Sequence, residues 1–226
     1  MTNKLIIEDW GRIGYQDAWD RQTRYQQQLV DRKRTARKNG ILHDEGQHFL
    51  ILCEHDPVFT LGKSGDDQHL LVNEEFLKNR GITFHRINRG GDITFHGPGQ
   101  LVAYPILDLE FIFTDVHRYI RSLEEIVIKT MLDYGLEGRK IKEYTGVWTG
   151  ENPDRKICAI GVHLSRWVSM HGLAFNINTD LSYFNLIVPC GIHQKDMAVT
   201  SLAHAQDRPG DTASPKTMKA VDGRPK

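Results

Sequence analysis

Three observations predict an α/β or α+β fold. Two long stretches carry apolar residues at helical spacing, several shorter runs read as strands, and the two kinds interleave without a regular βαβ beat. The chain has 226 residues, 39% of them hydrophobic and 26% charged. That suits one large globular domain or two small ones, and it is enough to bury a core without disulfides. No internal repeat divides the sequence, so a single domain is expected.

Residues 3–10 read as a short strand. After Gly11 and Gly14 a helix is predicted from Tyr15 to about Lys38, because Tyr15, Ala18, Trp19, Gln22, Tyr25 and Leu29 recur every three or four positions. Arg32, Lys33, Arg34, Arg37 and Lys38 crowd its end before Asn39-Gly40, where cations suit the negative pole of the helix. They read either as a solvated helix end or as a docking patch for an acidic partner. The run from His48 to Cys53 has the continuous apolar character of a strand buried on both faces, and Glu54-His55-Asp56-Pro57 follows as a loop. Residues 82–88 and 100–107 are further strands. A second helix runs from about Asp115 to Tyr134, capped by Thr114 and stopped by Gly135. Its apolar stripe is Val116, Tyr119, Ile120, Leu123, Ile126, Val127, Met131 and Tyr134. Strands are predicted again at 146–149, 157–164 and 170–178. From Ala205 onward large apolar residues are scarce and Pro209, Gly210, Pro215, Gly223 and Pro225 recur. The expectation is a domain over 1–205 and a disordered tail over 206–226.

Composition narrows the function classes. The 29 basic and 29 acidic side chains cancel, which argues against a general nucleic-acid binder. Cys53, Cys158 and Cys190 are too few for a disulfide framework and lack C-x-x-C spacing. No secretory segment and no apolar run of membrane length is present, so a soluble cytoplasmic protein is expected, with no membrane partner.

Three segments carry candidate chemistry. Arg89-Gly90-Gly91-Asp92-Ile93-Thr94-Phe95-His96 continues through Gly97-Pro98-Gly99-Gln100. Adjacent glycines let backbone approach a ligand, yet the same stretch also reads as a structural hairpin, and it lacks the order of a phosphate-binding loop. Lys156 stands at the start of a strand that continues through Ala159, Ile160 and Gly161, where a lysine is ordinarily solvated. Cys190 lies between Pro189 and Gly191 in a turn. A cysteine there is either an unremarkable turn residue or a thiol near backbone N–H groups, the setting that favours a nucleophilic thiolate.

Taken together these segments resemble the octanoyltransferases of lipoate biosynthesis. The pattern R-G-G-x-x-T-aromatic-H-x-P-G-Q-x-V-x-Y-P is present unbroken from Arg89 to Pro105, K-I-x-A-x-G from Lys156 to Gly161, and H-G-x-A-aromatic-N from His171 to Asn176. D-L-x-x-F-x-x-I-x-P-C-G-I spans Asp180 to Ile192, and the loop Glu54 to Gly62 also fits. The resemblance covers about residues 5–203. It implies a single α/β (α+β) domain similar to the catalytic domains of biotin and lipoate protein ligases, with mixed sheets flanked by helices. It further implies that Cys190 is the acyl-thioester nucleophile and Lys156 its partner. The acyl site it implies comprises Arg89, Gly90, Gly91, Asp92, Ile93, Thr94, Phe95 and His96, then Ala159, Ile160 and Gly161, and Gly172, Leu173 and Ala174.

The implied reaction moves an octanoyl group from acyl carrier protein to a lysine of a lipoyl domain, such as those of 2-oxoacid dehydrogenase E2 subunits and the glycine cleavage H protein. An ammonium at Lys156 favours the Cys190 thiolate, and no metal or other cofactor is implied because a thioester arrives activated. His96 and His171 are expected to position substrate rather than act as bases. Apolar residues of 101–107 and 157–164 are the expected lining of the acyl channel. An ATP-dependent lipoate ligase of the same fold is the nearest alternative, and Cys190 is the residue such an enzyme does not need. A metal protein is suggested only by 11 histidines and Cys190-Gly-Ile-His193, without paired ligand motifs.

Overall fold

The computed structural model describes residues 4–41, 46–150, 153–188 and 197–207. Strand β1 (Lys4–Ile13) runs parallel to β2 (Gln47–His55), and the long helix α1 (Tyr15–Lys38) lies between them in sequence. The chain then builds a small sheet from β3 (Val58–Leu61), β4 (Thr83–Arg86) and β5 (Ile93–His96), in the order β4-β3-β5, with α2 (Glu74–Asn79) between β3 and β4. β6 (Gln100–Ile106) returns antiparallel to β2. After α3 (Val116–Asp133) come β7 (Arg139–Ile141), β8 (Tyr144–Thr149), β9 (Asp154–Ser165) and β10 (Val168–Asn176). They complete a large sheet in the order β1-β2-β6-β10-β9-β8-β7, and β11 (Met197–Val199) pairs parallel to β9. Helix α4 (Leu202–Gln206) follows. The result is the mixed-sheet α+β domain the sequence predicts.

Alternation along the central strands splits the core between two faces. Ile51 of β2, Val102, Tyr104 and Ile106 of β6 and Ala174 of β10 pack with Ala18, Leu29 and Val30 of α1. Their neighbours Ala103, Leu173 and Phe175 face the other way, onto Tyr119, Leu123, Val127 and Met131 of α3. Each such side chain fully buried contributes about 1.5–3 kcal/mol. A third cluster holds the small sheet against the 3₁₀ turn Leu181–Leu186, through Phe59 and Phe95 with Tyr183 and Phe184.

Several local expectations are corrected. Asp115, not Thr114, caps α3, its carboxylate accepting from the Arg118 N–H. Ile126 of the expected apolar stripe is exposed. β2 continues through His55, so the loop shortens to Asp56-Pro57. The basic end of α1 is not simply solvated: Lys33 Nζ donates to Asp108 Oδ1 at 2.8 Å and to the Arg166 carbonyl at 2.7 Å, and Arg37 reaches Glu110. The boundary expected after Ala205 falls inside α4, where Ala205 is buried. Residues 208–226 lie outside the described residues. Among the described residues no helix is long and apolar enough to cross a membrane.

Candidate active site

Between the two sheets lies a cavity of about 480 Å³, within the size range of small-ligand sites. β5 supplies Ile93, Thr94 and His96, and β6 supplies Val102 and Tyr104. β9 and β10, next to β6 in the large sheet, supply Lys156, Ala159, Ile160, Gly161, His171, Gly172, Leu173 and Ala174. Tyr15, the first residue of α1, closes one wall, its ring stacked on His96 with centroids 6.0 Å apart. Glycine is required where strands approach most closely. A Cβ on Gly172 would stand 2.2 Å from the Ala103 carbonyl oxygen, and one on Gly62 would stand 2.2 Å from that of Gly91.

A chain of hydrogen bonds fixes the polar wall. Arg89 donates to the carbonyl and hydroxyl of Thr60 at 2.7 and 2.9 Å. The Thr60 hydroxyl faces His96 Nε2 at 3.4 Å, and His96 Nδ1 donates to Gln100 Oε1 at 2.8 Å. The Gln100 amide donates to Asn176 Oδ1 at 2.9 Å, the Asn176 amide donates to the Thr200 carbonyl at 3.0 Å, and the Thr200 N–H donates to the Lys156 carbonyl at 2.9 Å. Both nitrogens of His96 are thereby occupied. Burial first, then proximity to His55 and to the Arg89 guanidinium, lowers its pKa to about 3. His171 is held at φ 60° with its ring donating to Asn88 Oδ1 at 2.8 Å. Burial and Arg89 lower its pKa to about 3 as well. Beneath these, His55 donates to the Ile13 carbonyl and accepts from the Tyr104 hydroxyl at 2.6 Å.

Lys156 is 9% exposed, its ammonium 4.7 Å from the centre of the Trp148 ring. Also on the cavity wall, His69 Nδ1 lies 2.6 Å from Asp92 Oδ2, and the His69 carbonyl accepts from the Val188 N–H at 2.8 Å. Thus the chain reaches Val188 beside one cavity-lining residue and returns at β11, where Val199 pairs with Lys156.

Of the residues expected at the site, Arg89, Gly91, Asp92, Ile93, Thr94, His96, Lys156, Ala159, Ile160, Gly161, Gly172, Leu173 and Ala174 line this one cavity. Gly90 stands behind it, its N–H bonded to the Val162 carbonyl. Phe95 points away into the small-sheet core, stacked on Tyr183 at 4.4 Å. Strand alternation is the reason: Thr94 and His96 face one side of β5, and Phe95 faces the other. Cys190 lies outside the described residues. Cys53 and Cys158 are both buried; burial raises the Cys53 thiol to about 12 and pushes Cys158 higher still. Sequence reading missed Tyr15, Asn88, Trp148 and Tyr144 as neighbours of the site. Thr60 was legible only as part of the loop Glu54 to Gly62. Among the described residues no three histidine, cysteine or acidic side chains gather as a metal site.

Such a site defines a class: an α+β domain with a partly open, mostly apolar cavity next to a buried lysine. Residues 21–219 match the sequence model of the lipoyl protein ligase A/B catalytic domain, and the chain belongs to that family. A Flavobacterium johnsoniae octanoyltransferase is 50% identical over 204 residues, spanning 89% of this chain and 87% of the relative. One from Parabacteroides distasonis is 51% identical over 206 residues, covering 90% and 89%. Among solved structures, a lipoate-protein ligase A bound with ATP superposes with a TM-score of 0.63 at 16% identity, covering 93% of this chain and 80% of that one. A Thermoplasma acidophilum ligase with bound lipoic acid gives 0.61 at 17%, covering 90% and 77%. At these identities the likeness is one of fold.

Proposed function

We propose that this protein transfers an octanoyl group from an acyl carrier protein to a lysine of a lipoyl domain, through a thioester on Cys190 with Lys156 as its proton partner. The observation that carries the reading is the buried Lys156 at the wall of a partly open, mostly apolar cavity. The family membership and the half-identical relatives named octanoyltransferase support it. Two peptide units carry a chain at most about 7 Å beyond Val188, which is itself bonded to His69 at the cavity margin.

In the first half-reaction the Cys190 thiolate attacks the donor carbonyl. The tetrahedral adduct expels the carrier thiolate, which takes a proton from Lys156. In the second, an acceptor amine attacks the acyl-enzyme, Lys156 takes the proton the nitrogen loses, and Cys190 leaves as thiolate. The lysine–thiolate pair is thereby restored, and forming an amide from a thioester makes this half downhill. Octanoyl binding draws on about 0.8 kcal/mol per buried methylene along Val102, Ile160 and Leu173. The His96 and His171 rings, neutral near pH 7, serve to shape the wall.

Intact-mass measurement after mixing with octanoyl carrier tests this. One octanoyl adduct, labile to hydroxylamine and formed without ATP, is expected, and Cys190→Ser should remove it. Lys156→Ala should slow adduct formation about 10²–10⁴-fold, the usual size of a lost proton-transfer group. An adduct mapped to Cys53 or Cys158, or no transfer without ATP, would overturn the proposal.

A further inference from the structure

Lys156 acts through one atom, its Nζ, and a lysine stem is flexible, so the fold must fix where that atom stands. We infer that Trp148 is the positioning residue for Lys156, its indole face holding the ammonium in place for the first half-reaction. The inference deepens the acyl-transfer reading and rests on it.

The local backbone is built around this contact. β8 pairs with β9 through Val147 against Cys158 and then Trp148 against Lys156, so β9 carries one extra residue, Ile157, at a bulge. An unbroken register would set Ile157 opposite Trp148; the bulge sets Lys156 there instead. Gly146, on the same face of β8 two residues earlier, has φ 124°. A Cβ there would stand 2.6 Å from the Cys158 carbonyl oxygen and 3.5 Å from Lys156 Cε. The lysine stem thus passes over Gly146, and its ammonium lies 4.7 Å from the centre of the Trp148 ring. Glu124 of α3, fully buried and paired with Arg121, accepts from the Gly146 N–H at 3.0 Å and pins this stretch of β8.

The choice of side chain points the same way. Trp148 is 0% exposed, yet among the described residues its Nε1 has no hydrogen-bond partner. A buried indole N–H normally finds one, and leaving it unpaired is unfavourable. Phenylalanine or leucine would fill space without that penalty. What the indole adds is the strongest negative face of any aromatic side chain, which attracts an ammonium and not a neutral amine. Lys156 is largely withdrawn from water, so the ring replaces part of the hydration its charge has lost. The contact is therefore made with the charged lysine that opens the first half-reaction, and not with the neutral amine that opens the second.

Fluorinated tryptophans placed at position 148 alone test this, because each fluorine weakens the ring face while the shape of the side chain changes little. Single-turnover acylation by octanoyl carrier should slow stepwise as fluorines are added, about 3- to 30-fold in all. Transfer from the acyl-enzyme to a lipoyl domain should not slow. Trp148→Phe should keep part of the acylation rate and Trp148→Leu should lose more, with melting temperatures followed to separate a folding defect. Acylation indifferent to fluorination overturns the inference. So does equal slowing of both half-reactions, which would make the ring a packing group only. Failure of octanoyl carrier to acylate the unaltered protein removes instead the acyl-transfer reading beneath it.

Discussion

His96 and His171 are neutral in the folded protein because burial strips the hydration that an imidazolium needs, and Arg89 adds a positive neighbour to each. Folded pKa values of about 3 against an ordinary 6.5 mean that the unfolded chain binds more protons between those limits. Stability is therefore fully present above about pH 7 and declines as pH falls from 6.5 toward 3. From pH 7 to pH 5 each ring should cost about 2 kcal/mol. Urea denaturation at the two pH values measures the sum, and in His171→Asn the drop should shrink by about that amount. A midpoint that does not move on acidification would show that both rings take up protons while folded. Neither role was readable from spacing: the sequence presents His96 and His171 as polar groups near glycines, and only the bonds to Thr60, Gln100 and Asn88 show how they are held.

At the scale of elements, the end of α1 illustrates how a charge run divides by burial. Lys33 is 11% exposed and its partner Asp108 2% exposed, so their ion pair ties the helix to the turn after β6. Arg34 and Asp31, at 52% and 53%, form a solvated pair. Lys33→Ala should destabilise the fold by about 3 kcal/mol, since it leaves a buried carboxylate uncompensated, while Arg34→Ala should cost less than about 1 kcal/mol. Equal denaturation midpoints for the two variants would rule out the clamp. Helical periodicity located α1 and α3 to within a few residues because each buries one continuous stripe. The short strands β3 and β7 escaped the sequence reading, and β5 was legible only as the first arm of a hairpin turning at Gly97-Pro98-Gly99. Three or four residues give too few alternations to register, and β3 and β5 exist because they pair with each other across an intervening segment of chain.

For the whole molecule, packing continues through α4, past the boundary expected after Ala205. Leu202 and Ala205 are buried in the main core, and the Gln206 amide donates to the Tyr134 carbonyl at 2.8 Å. We propose a boundary after Asp207. Truncation there should leave the melting temperature and acyl transfer near those of the full chain. Truncation after Thr200 should remove α4 and lower the melting temperature by several degrees, on the order of 4–8 °C per kcal/mol lost for a small domain and less for one this long. A large loss from the shorter deletion would mean that residues beyond 207 contribute to the fold or the reaction.

The sequence by itself determined the α+β class, both long helices, most central strands and many of the residues that meet around the cavity. These follow from local periodicity and from uninterrupted motifs between Arg89 and Asn176. Tertiary structure decided what depends on facing. It turned Phe95 into the core while His96, its neighbour, lines the site; it tied Lys33 to Asp108; and it set the Lys156 ammonium over the Trp148 ring. A motif fixes which side chains are present and roughly where along the chain. Which side of a strand they occupy, and what lies opposite, is set by how the two sheets pack across that cavity.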